Sequence, residues 1–118
     1  MGTRSNQAIF EPPAVDNPAL SEIVRRLVAV YHPERIYLFG SVARGDAGPD
    51  SDYDLMVIVP DDAPLERRRS RLAYRALRGT GTAADVLVWA KSNFDRRARV
   101  DASLPATVVR EGRLLYGL

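Results

Sequence analysis

The sequence predicts an α/β chain, in which segments of helical periodicity alternate with short apolar runs. Two observations carry that prediction. Leu20, Ile23, Val24, Leu27, Val28 and Tyr31 recur at helical spacing. Residues 36–39, 53–59 and 86–89 are compact apolar runs separated by turn formers. The run at 53–59 does not alternate polar with apolar, as expected of a central strand covered on both faces. A length of 118 residues suits one domain. A chain of that size buries roughly 65% of its unfolded surface.

Residues 1–16 lack periodicity and contain Pro12-Pro13, which predicts a loose tail before a single domain over 17–118. Asn17-Pro18 reads as an N-cap with proline at the first helical position. His32-Pro33 ends that helix, because proline disfavours the helical region in the residue before it. His32 is therefore a helix-end residue. A first strand is expected over 36–39, then a loop over 40–51 with one helical turn after Ser41, then the central strand 53–59. Pro60 and Pro64 break the chain there, and residues 65–78 read as a helix stopped by Gly79 and Gly81. A third strand over 86–89 precedes a short helix over 92–100. Ser103 and Pro105 cap another helix through Arg110; Gly112 stops it, and residues 113–116 form an edge strand.

The composition is that of an ordinary soluble domain, 46% hydrophobic and 27% charged. No apolar run approaches the ~20 residues of a membrane span, and the first residues carry no apolar signal core. No membrane partner is expected, and the expected location is cytoplasmic. With no cysteine there is no disulfide, thiol chemistry or thiolate metal site. The formal charge is +2, and Lys91 is the only lysine among 17 basic residues. An excess that small makes no case for nucleic acid as a partner.

The chemistry concentrates in one stretch. Gly40-Ser41 closes an apolar run, ten residues intervene, and Asp52-Tyr53-Asp54 opens the central strand. Strand side chains alternate between faces, so Asp52 and Asp54 share one side, about 7 Å apart along the strand. Asp85 stands at the mouth of the next run. Three look-alikes are excluded. The P-loop spacing of Gly40 and Gly45 is followed by Asp46 where a lysine is needed. The EF-hand spacing of Asp50, Asp52 and Asp54 puts Leu55 where glycine is required and Asp61 where glutamate belongs. One histidine and no cysteine leave no zinc set.

Taken plainly, Asp52 and Asp54 could be strand-mouth residues satisfied by nearby amides. Against that, Leu55 to Val59 must be buried at once, and like charges at 4 Å repel by about 4 kcal/mol at an effective dielectric of 20. Such a cost calls for a cation, a shared proton or a task, and the arrangement reads as a metal site for a polyphosphate substrate. Gly40-Ser41 can be a mere turn with Ser41 as a cap. It can also let backbone approach closely while Ser41 donates to phosphate oxygens. Arg44 either contacts a phosphate or braces the loop. Asp46, Asp50 and Ser51 read as loop residues. Arg67, Arg71, Arg75 and Arg78 form a helical stripe, read as a solvated face with docking of an acidic partner or RNA as the alternative. Trp89 and Phe94 read as core.

Gly40-Ser41, Asp52-Tyr53-Asp54 and the later Asp85 together resemble the DNA polymerase beta-like nucleotidyltransferase superfamily. Residues 40–55 are most similar to its minimal nucleotidyltransferases, small prokaryotic proteins often paired with a HEPN-type partner in toxin–antitoxin modules. The likeness runs from about Pro18 to Gly112. It implies a small mixed β-sheet flanked by helices, the polymerase beta-like fold. It implies that Asp52 and Asp54 hold divalent metal, normally two Mg2+ ions, with Asp85 sharing the second and helping to activate the attacking hydroxyl. Gly40 and Ser41 would grip the nucleotide triphosphate. The implied reaction moves a nucleoside monophosphate, AMP from ATP, onto a hydroxyl and releases pyrophosphate. Because 118 residues leave little room for an acceptor lobe, the partner is expected to bring that surface and assemble with this chain. A HEPN-type toxin modified on a tyrosine would make the chain an antitoxin. Two alternatives stand beside this: an antitoxin that acts by contact alone, through the arginine stripe or the tail, and transfer to a small molecule such as an aminoglycoside.

Overall fold

Four strands and five α-helices follow one another in a computed structural model that describes residues 17–45, 48 and 52–117. The expected tail over 1–16 and the loop roles of Asp46, Asp50 and Ser51 lie outside the described residues. Helix α1 spans Pro18–Tyr31. Asn17 caps it as its spacing predicts, the side chain accepting from the Leu20 amide at 3.2 Å. His32 ends it in the left-handed region at φ 49°. Strand β1 is Arg35–Phe39, helix α2 the single turn Gly40–Arg44, and β2 Tyr53–Val59. A 3-10 turn, Leu65–Arg68, leads to α3, Arg71–Ala76. Then come β3 (Ala84–Ala90), α4 (Lys91–Arg97), α5 (Leu104–Glu111) and β4 (Arg113–Tyr116).

The sheet order is β3-β2-β1-β4. β2 runs parallel to β3 and antiparallel to β1, which is antiparallel to β4. The sheet is thus mixed and flanked by helices, as the resemblance implies. Strand alternation divides the core between its two faces. Leu55, Val57 and Val59 point to the face where Leu20, Ile23, Val24 and Leu27 of α1 and Ala73 of α3 are buried. Met56 and Ile58 point to the other, against Phe94 of α4 and Val108 of α5. Coverage on both sides is why this strand carries no polar alternation. Phe94 is fully buried, with Tyr37 stacked on it at 5.7 Å and Trp89 edge-on at 6.4 Å. Phe94 is a core residue, as expected, whereas Trp89 is only partly buried and packs against that core from its edge.

The predicted helix over 65–78 is interrupted. Arg69 is extended (φ −115°, ψ 142°), separating the 3-10 turn from α3. The buried Tyr31 hydroxyl donates to the Arg69 carbonyl at 2.5 Å, and the Arg68 guanidinium turns back to the carbonyls of Ala63 and Asp61. These tertiary bonds compensate the broken helical ladder. The arginine stripe is broken with it: Arg67 lies before the break, Arg71 and Arg75 after it, and Arg78 beyond the end of α3. Among the described residues no helix is long and apolar enough to cross a membrane.

Candidate active site

β1 delivers the chain to Gly40, and β2 leads back from the acids, so the two halves of the motif meet across one hairpin pair. Phe39 stands opposite Asp54 in the antiparallel register. Gly40 adopts φ +79°, which L side chains rarely take, and a Cβ there would overlap Asp54 Oδ2 and lie 3.0 Å from its Cγ. The close approach that Gly40 permits is therefore that of the Asp54 carboxylate. α2 is held on the core by Val42 and Ala43, and its last turn closes when the Gly45 amide donates to the Ser41 carbonyl at 3.0 Å. Ser41 lies in the first turn of α2 and Arg44 in its last.

The parallel register sets Asp54 directly opposite Asp85. Cross-strand partners face the same way, so the two carboxylates share the face that carries Met56 and Ile58. Tyr53, between the acids, turns to the opposite face. It packs on the α1 core, and its hydroxyl accepts from Asn17 Nδ2 at 2.6 Å. One asparagine thereby caps α1 and anchors the residue between the two acids.

Asp54 is half-buried, whereas Asp52 and Asp85 are exposed. Its carboxyl is pushed above the ordinary carboxylate range, first by burial, then by the charges of Asp85 and Asp52, with Arg44 pulling the other way. The charge crowding inferred from the sequence is present, but desolvation is the larger cause. Among the described residues no arginine or lysine forms an ion pair with Asp52, Asp54 or Asp85. The hydrogen-bonding neighbour of Asp85 is Tyr74, whose hydroxyl donates to Oδ1 at 3.4 Å. Tyr74 was not expected here; it lies on α3 and nothing in its local pattern marks it.

A set of carboxylate oxygens with no ion-paired base among the described residues suits a hard divalent cation such as Mg2+. No group of three or more described acids or imidazoles is gathered tightly enough to form a ready-made cage. Magnesium does not require one, since it keeps several waters and binds through one or two carboxylates plus substrate phosphates. Clefts of about 430 and 580 Å³ lie elsewhere, one beside Leu72 and Arg75, the other beside His32 and Lys91, and neither is lined by the three acids.

Residues 18–111 match the model of the family described as "Nucleotidyltransferase domain". A protein of Methanocaldococcus jannaschii named "Putative protein adenylyltransferase MJ0604" is 30% identical over 105 residues, covering 86% of this chain and 98% of that one. A crystal structure titled as a "putative nucleotidyltransferase from Sulfolobus solfataricus" superposes with a TM-score of 0.51 at 28% identity, over 67% of this chain and 70% of the other. A chain of a toxin–antitoxin crystal structure with AMP-PNP gives a TM-score of 0.53 at 26% identity, over 82% of this chain and 73% of that one.

Proposed function

Since the chain belongs to the nucleotidyltransferase domain family, we propose that it transfers AMP from ATP to a hydroxyl of a partner protein, a HEPN-type toxin that the transfer silences. The observation that carries this reading is the corner where Asp54 faces Asp85 in register, with Asp52 adding charge and no basic side chain paired to them among the described residues. The M. jannaschii relative's name supports a protein acceptor, and the toxin–antitoxin structure with AMP-PNP supports an ATP-like donor and a toxin partner.

Asp52 and Asp54 would hold the metal, with Asp85 as a further carboxylate for a second ion. Bound magnesium would supply neutralisation of the triphosphate and a lowered pKa for the attacking hydroxyl. Gly40 keeps the Asp54 carboxylate close to the start of α2, Ser41 donates to phosphate oxygens, and Arg44 adds positive charge at the end of that turn. Asp85 takes the proton of the acceptor hydroxyl as its oxygen attacks the α-phosphorus. The bond from that phosphorus to the bridging oxygen breaks, and pyrophosphate leaves.

The test is incubation with ATP, magnesium and the HEPN-type partner, followed by intact-mass analysis. The expected result is a nucleoside-monophosphate gain on the partner together with its loss of activity, and neither with Asp52→Asn/Asp54→Asn. A partner silenced without any gain in mass would refute transfer.

A further inference from the structure

The Tyr74 hydroxyl meets an acid of the site. The Tyr31 hydroxyl is committed to the Arg69 carbonyl, with burial pushing its pKa up to about 12. The hydroxyls of Tyr53 and Tyr37 accept from Asn17 and Arg35 respectively. Tyr74 is 53% exposed, so its ring is not held in the core. It extends from α3 to Asp85 on β3, the strand at the edge of the sheet. A phenol donating to the acid that would take an acceptor's proton is the arrangement a tyrosine nucleophile needs. The 3.4 Å separation is long for an O–H···O bond, and such contacts commonly tighten only when substrate is bound.

We propose that Tyr74 is a self-modification site: the chain transfers a nucleoside monophosphate to its own Tyr74 hydroxyl. The inference rests on the nucleotidyltransferase reading above. Tyr74 Oη attacks the α-phosphorus of a bound nucleoside triphosphate, and its proton passes to the Asp85 carboxylate. The bond between that phosphorus and the bridging oxygen breaks, pyrophosphate departs with the electron pair, and a tyrosyl phosphodiester remains. A nucleotide there stands beside Asp85, where an external hydroxyl must also arrive. Self-transfer therefore competes with transfer to a partner and then obstructs it.

The experiment is the full chain with ATP and magnesium, without partner, followed by intact mass and peptide mapping; transfer to the HEPN-type partner is scored in a parallel reaction. The expected result is one nucleoside-monophosphate gain mapped to Tyr74. It should fall at least tenfold in Tyr74→Phe and vanish in Asp54→Asn. Its half-time should not change with protein concentration, because both groups lie on one chain. Transfer to the partner with Tyr74 unmodified overturns the self-site and leaves the enzymatic reading intact. Transfer to neither overturns both. A gain mapped to another residue, or a half-time that shortens as protein is concentrated, also overturns it.

Discussion

Asp54 and Asp95 are the same residue type near opposite ends of one sheet, in surroundings of opposite sign. Asp95, on the helix after β3, receives Arg35 Nη2 at 2.9 Å and Lys91 Nζ at 3.2 Å. The hydrogen bond from Arg35 holds its carboxyl below the ordinary carboxylate range despite some burial, and Lys91 adds to the effect. The same guanidinium lies 5.5 Å from the Phe94 ring centroid, so that end of the sheet is neutralised and packed at once. Asp54 has burial and two further carboxylates, with Arg44 as a lesser opposing charge. A chain with sixteen arginines had the means to pair both acids. Among the described residues it pairs Asp95 with two bases and gives Asp54 no ion pair, which distinguishes a structural carboxylate from a candidate functional one.

The comparison is broken most directly by activity. Asp54→Asn should lower transfer on the order of 10³-fold, the scale of losing a group that stabilises developing charge. Asp95→Asn should leave the transfer rate within experimental error. Equal losses in a partner-labelling assay would mean that the two acids do not differ in kind.

Gly40→Ala comes next. The new Cβ meets the Asp54 carboxylate and the backbone stays at a strained φ, so a stability loss of roughly 1–3 kcal/mol is expected. Transfer should fall along with it. Denaturant midpoints checked beside the transfer rate would show whether the glycine serves the carboxylate or only the turn; wild-type stability in the mutant would discount the close approach.

A smaller effect belongs to the neutralised end. Asp95→Asn should cost about 1 kcal/mol or less, because the Asp95 side chain is 41% exposed and such pairs are screened. Thermal melts at low and high salt should show the loss shrinking as salt rises.

The subtlest difference is in pH dependence without metal. Asp54 titrates above its ordinary value in the folded chain. Its contribution to stability is thus fully present below the unfolded pKa and is lost as pH rises through the folded one. Asp95 titrates below its ordinary value, so its contribution is present above the unfolded pKa and lost as pH falls through the folded one. Melting temperatures of Asp54→Asn should therefore equal or exceed wild type increasingly as pH rises past the carboxylate range. Those of Asp95→Asn should approach wild type as pH falls. Magnesium should stabilise wild type more than Asp54→Asn. A marked metal-free loss in Asp54→Asn at neutral pH would mark Asp54 as a structural residue.

Local chemistry made much of this legible in advance. Asn17-Pro18 and Ser103 with Pro105 carry their capping logic in adjacent residues, and both helices start where those pairs predict, with Ser103 Oγ accepting from the Ala106 amide at 3.1 Å. The unbroken apolar run of β2 signalled cover on both faces. The helix over 65–78 was not legible. Its interruption depends on Tyr31, 38 residues before Arg69, and helical spacing reports nothing about a carbonyl claimed from so far away. The contacts of Tyr74 and Arg35 are hidden for the same reason, since each partner lies on another element.

Residue order alone determined which groups could do chemistry: the three acids, the glycine before Ser41, and the absence of thiols and of a zinc set. These are matters of side-chain type and short spacing, governed by local backbone geometry. Only the tertiary structure decided that Asp54 faces Asp85, that Gly40 is needed because the Asp54 carboxylate packs against it, and that Arg35 pairs with Asp95 at the far end of the sheet. Those facts depend on strand register and helix docking, where contacts between distant residues set both burial and the sign of the neighbouring charge.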